Sequence, residues 1–103
     1  NMTYATTTHM LAAQTTAVSS DAIYPLRRQD EVGKIQLKIV GTSATVKIKG
    51  RSHADAPWST LLTLTEADVA DNDSVFALIE LVPEMQAEIV NISAATVDLW
   101  LTE

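Results

Sequence analysis

The chain contains no cysteine, which excludes a disulfide framework and any thiolate zinc site. Basic residues are absent from Ser52 to the end, and aromatic residues number only five: Tyr4, Tyr24, Trp58, Phe76 and Trp100. With 7 basic against 13 acidic residues and a net charge of −6, binding to nucleic acid through overall charge is not expected. Nor do five scattered aromatics make a base-stacking ladder. Apolar runs are short: Ala77-Leu78-Ile79 is followed by Glu80 and then Leu81-Val82, so no transmembrane helix fits. The start lacks the basic-then-apolar pattern of a signal peptide. There is no Gly-rich phosphate loop and no Gly-x-Ser-x-Gly nucleophile turn. The 103 residues suffice for one domain, and 47% hydrophobic content is too high for a disordered chain.

What is abundant is β-branched: 13 Thr, 9 Val and 7 Ile. Such side chains are stiff at χ1 and fit a pleated surface better than a helix. Lys34 to Ile39 alternates strictly, with Ile35, Leu37 and Ile39 on one side, and Thr45 to Lys49 does the same. Period two is the signature of a half-buried strand. The intervening Gly41-Thr42-Ser43-Ala44 predicts a hairpin loop, with Val40 opposite Thr45, Ile39 beside Val46 and Leu37 beside Ile48. A second hairpin is predicted from Met85–Val90 and Thr96–Leu101, turning at Ser93-Ala94-Ala95. Trp58 to Leu64 reads as a strand with Leu62 and Leu64 inward, and Ser74 to Leu81 as a more continuously apolar, central strand. Thr65-Glu66-Ala67-Asp68 has the form of a capping box with Asp in place of Glu, predicting one short helical turn.

These elements predict an all-β chain: an antiparallel β-sandwich or barrel-like domain of about seven strands with an extended N-terminal arm. Residues 2–20 form that arm or an edge strand, and 21–103 form a single β-sandwich domain.

The charge layout is lopsided. All seven cations lie between Arg27 and Arg51, whereas ten acids and no Lys or Arg follow. In the predicted hairpin Lys38 faces Lys47, Gln36 faces Lys49 and Lys34 faces Arg51, which gathers Lys34, Lys38, Lys47, Lys49 and Arg51 on one face. Such a face is either a solvated edge protected by lysines or a surface complementary to acids. The acids would be Glu84, Glu88 and Asp98, on a neighbouring strand or on the next copy of the chain. Trp100 points outward beside Glu88 in this register and is a candidate interface anchor. Trp58, after Ala56-Pro57, plugs one end of the core.

Catalytic and metal chemistry is poorly represented. His53-Ala54-Asp55 offers two ligand types without a third, in a loop expected to be solvated. Glu66, Asp68, Asp71 and Asp73 miss the calcium-loop pattern, since Asp73 stands where Gly is needed and Ile79 where Glu is needed. No enzyme activity, cofactor or metal is expected.

Three stretches carry a family resemblance: the Ala/Thr-rich start Met2-Thr3-Tyr4-Ala5-Thr6-Thr7-Thr8 through Ala17, the segment Val46-Lys47-Ile48-Lys49-Gly50-Arg51 followed by Ala56-Pro57-Trp58, and the ending Val82-Pro83-Glu84-Met85-Gln86-Ala87 through Leu101. The chain thereby resembles small virion structural proteins of tailed bacteriophages and prophages, which decorate capsids or build necks and tails. The resemblance implies a non-enzymatic assembly protein, a homo-oligomer that also meets other virion proteins, with neither nucleic acid nor membrane as partner. It places the protein in the virion, assembled in the host bacterial cytoplasm. Candidate interface residues are Lys34, Lys38, Lys47, Lys49, Arg51, Glu88, Asp98, Trp100 and Tyr4, the last from the arm. The alternative is a small carbohydrate- or ligand-binding β-sandwich module, which would need exposed aromatics.

Overall fold

The computed structural model describes residues 6–26 and 32–103. Five strands form one antiparallel sheet: β1 (Thr7–Gln14), β2 (Val32–Arg51), β3 (Ser59–Thr65), β4 (Ser74–Glu80) and β5 (Glu84–Thr102). The chain is all-β, as the composition predicts, with one short 3₁₀ turn at Glu66–Val69. The sandwich or barrel of about seven strands gives way to five strands in a sheet that does not close.

The strand count drops because both predicted hairpins are single long strands. β2 runs for 20 residues and β5 for 19, and they pair with each other from Lys34↔Thr102 to Arg51↔Glu84. The residues expected to turn lie opposite each other instead, with Gly41 beside Ala95. Gly41 has φ 133° and Ala94 φ 49°, so the ribbon bends on both strands at one level. A Cβ on Gly41 would collide with the Ala94 carbonyl oxygen and with Ala95, which explains glycine there.

The bend moves the buried face. Ile35, Leu37 and Ile39 are buried at odd positions, but Ala44, Val46 and Ile48 at even ones. Period-two alternation permits such a change only where the strand is interrupted. On β5, Thr45 pairs with Asn91 and Val46 with Ile89, leaving Val90 as an extra residue. This β-bulge, together with Ala94, returns Met85, Ala87 and Ile89 to the same parity as Val97, Leu99 and Leu101.

The ribbon therefore has two ends, each flanked on both sides. At the first end β1 pairs with β5 and β4 pairs with β2. At the second end β3 pairs with β2, while residues 18–23 lie along β5 through Ile89 N–H to Val18 O, Ser20 N–H to Ala87 O and Ile23 N–H to Met85 O. Buried side chains from both ends belong to one core, with Leu11 of β1, Leu64 of β3 and Ile79 of β4 closing its sides. β4 is thus an edge strand and not the central one. The 3₁₀ turn has the expected cap: Thr65 Oγ1 accepts from Ala67 N–H at 3.3 Å, and Asp68 Oδ2 accepts from Thr65 N–H at 2.8 Å.

Candidate functional site

The outward faces of the two ends carry different chemistry. At the second end, the cations of β2 meet acids of β5. Lys47 stands opposite Glu88, and Lys49 forms an ion pair with Glu88. Arg51 sends Nε and Nη2 to Glu84 Oε1 at 3.1 and 3.0 Å, and Nη1 to the Ala54 carbonyl at 3.2 Å. Its guanidinium also lies 4.2 Å from the Trp58 ring centre, so Trp58 is a half-buried stacking partner and not a core plug. Glu84 is buried, and this pairing answers the cost of burying its carboxylate.

At the first end, the ladder sets side chains in rows across the sheet. His9, Trp100, Gln36 and Phe76 form one row, and Thr7, Thr102, Lys34 and Leu78 the next. The His9 and Trp100 rings stack with centroids 4.6 Å apart and planes within 8°. His9 Nε2 lies 3.0 Å from Asp98 Oδ1, which also accepts from Ala13 N–H at 2.9 Å. Lys38 stands opposite Asp98, and Lys34 lies 5.8 Å from the Phe76 ring centre.

The predicted single basic face is accordingly split. Lys34 and Lys38 lie at one end of β2, and Lys47, Lys49 and Arg51 at the other, because β2 never turns back on itself. Within the chain, Lys49 meets Glu88 and Arg51 meets Glu84 on the neighbouring strand β5. Trp100 does point outward, but its neighbours are His9 and Gln36 rather than Glu88, which lies at the far end of β5. Tyr4 lies outside the described residues. Two of the four clustered acids have backbone roles: Asp68 caps the 3₁₀ turn and Glu66 Oε1 accepts from Ala44 N–H at 2.9 Å. His53 and Asp55 are exposed; His53 Nδ1 lies 3.5 Å from Asp55 Oδ2 and accepts from Asp55 N–H at 3.1 Å, and the His53 carbonyl accepts from Ala56 N–H, so both serve the loop itself.

Sequence reasoning overlooked the outer face of β4. Phe76 is 62% exposed, Leu78 69%, and Val32 beside them on β2 52%. Val32 and Leu78 line one shallow surface groove. The signal was present, since Phe76 and Leu78 alternate with Val75, Ala77 and Ile79, but apolar residues on both faces read as a central strand.

No protein-family profile and no curated protein sequence matches the chain. Among solved structures it is similar to the crystal structure of the SPBc2 prophage-derived protein YomS, with a TM-score of 0.55 and 14% identity, covering 97% of this chain and 94% of that one. At that identity the likeness is one of fold, and it extends over nearly the whole of both chains.

Proposed function

We propose that this protein is a non-enzymatic assembly component of a phage or prophage particle, acting by self-association or by docking on other particle proteins. The observation that carries the reading is the shared fold with a prophage-derived protein over 97% of the chain. The arrangement of polar groups supports it. His9, Asp98, Glu84, Glu88, Lys49 and Arg51 are engaged in strand-to-strand pairing and do not converge on one cleft. The glycan-binding alternative calls for open aromatic platforms; Phe76 and Tyr24 are exposed, but neither tryptophan is an open platform, since His9 occupies one face of Trp100 and Arg51 lies over the Trp58 ring. Capsid decoration, neck and tail roles are all consistent with a small sheet built on one core that exposes Phe76 and Leu78 on its outer face.

Particles induced in the strain that encodes the chain, banded in a density gradient, should contain it in a fixed ratio to the major particle protein. Its absence from both finished particles and assembly intermediates would overturn the proposal.

A further inference from the structure

Among the described residues the sheet has three edge strands, β1, β3 and β4, and of these β4 is left open in a form that invites pairing. Natural edges are blunted by bulges, charges or proline, because an exposed row of backbone N–H and C=O groups templates another strand. β1 carries two register shifts along its pairing with β5 and a positive φ at Ala13. β3 carries one register shift, and its exposed positions are Ser59, Thr60 and Thr63. β4 has neither bulge nor proline, and its one charge, Glu80, stands at its last position. Its seven residues, Ser74–Glu80, pair with β2 without a break, contain no Lys or Pro, and place Phe76 and Leu78 in solvent. Among the described residues no strand pairs with its other edge.

We infer that β4 is the contact through which two copies of this chain join, edge to edge and antiparallel, about a two-fold axis at Ala77. The sequence of the strand selects both occupant and register. A two-fold axis perpendicular to the sheet keeps outward residues beside outward residues, so paired positions must sum to an even number. Only the register centred on Ala77 pairs all seven residues. It sets Phe76 of each copy beside Leu78 of the other, making one four-residue apolar cluster on the outer face. On the opposite face it brings Ala77, a small side chain, against itself at the axis.

Charge agrees with this register. The one charged residue of β4 is Glu80, which falls beside Ser74 of the second copy. Beyond Ser74 on the adjoining strand stands Lys38. Lys38 and the second copy's Glu80 are then two strands apart, about 10 Å between backbones, and their long side chains meet over the short serine. Each copy supplies one such pair, and no like charges face each other. The pairing uses both open edges, so it closes as a dimer and does not propagate.

The contact names a partner for the proposed assembly function and rests on that reading for its purpose. Particle content tests the reading, whereas solution mass tests the contact. Light scattering of the full chain should give the mass of a dimer. Phe76→Lys places a cation in the cluster twice and should raise the dimer dissociation constant at least about a hundredfold, with an unchanged β-sheet circular-dichroism spectrum. A second measurement does not depend on breaking the contact. The chain has no cysteine, so an oxidised mixture of the Phe76→Cys and Leu78→Cys variants should yield a disulfide-linked dimer of one copy of each, while each variant alone yields far less. A wild-type monomer at every concentration, open-ended aggregates, a dimer indifferent to Phe76→Lys, or equal cross-linking in mixed and single samples would each overturn the inference.

Discussion

The two ends of the β2–β5 ribbon bury the same kind of residue and expose opposite kinds. Inward, Ile35, Leu37 and Leu99 at one end match Val46, Ile48 and Ile89 at the other. Outward, one end is laced by Arg51–Glu84 and Lys49–Glu88, while the other shows the stacked His9 and Trp100 and the uncovered Phe76 and Leu78. The core demands only alternation, so the outer faces are free to diverge. One end pairs Lys49 and Arg51 with acids of the same sheet, and the other leaves Phe76 and Leu78 uncovered among the described residues. Exposed apolar surface of this kind marks a place of contact.

The sharpest way to break the comparison is to remove the joint between the ends. Gly41→Val puts a branched side chain at φ 133° against Ala94 and Ala95. It should cost about 3 kcal/mol or more, since strain and collision add, and urea unfolding should show a strongly reduced midpoint or no folded state. A midpoint near wild type would mean that the bend is not needed to bring the two ends onto one core. Glu84→Gln tests the self-satisfied end. It removes the carboxylate from a half-buried guanidinium and should cost about 1–2 kcal/mol, read from the same unfolding curves. The smallest effect is expected at the uncovered end. Phe76→Thr should change the stability of the single chain by no more than about 0.5 kcal/mol, measured at concentrations where wild type and variant are both monomeric. A larger loss would mean that Phe76 packs within its own chain.

Much of this was legible beforehand. The alternating stretches 34–39, 45–49, 85–90 and 96–101 are strands, β3 has Leu64 inward, and the capping box at Thr65 is formed with Asp68 as the third residue. What joined the stretches was not legible. Gly41-Thr42-Ser43-Ala44 and Ser93-Ala94-Ala95 have the residues that a tight turn needs, but a bend in a continuing strand needs the same backbone freedom. Whether such a segment reverses the chain depends on which strand lies alongside. Here each long strand takes the other as its partner from Lys34↔Thr102 to Arg51↔Glu84, and neither folds back on itself. That one substitution of partner moved Glu88 away from Trp100, divided the lysines between two ends, and turned Ser74–Glu80 from a centre strand into an edge.

The sequence by itself therefore determined the alternating strand segments and which of their side chains face inward, because period-two alternation acts through immediate neighbours along the chain. Only the tertiary structure decided strand partners, edges and the surroundings of each outward residue. Those depend on contacts between residues far apart in sequence, such as Gly41 with Ala95 and His9 with Trp100, which no local pattern encodes.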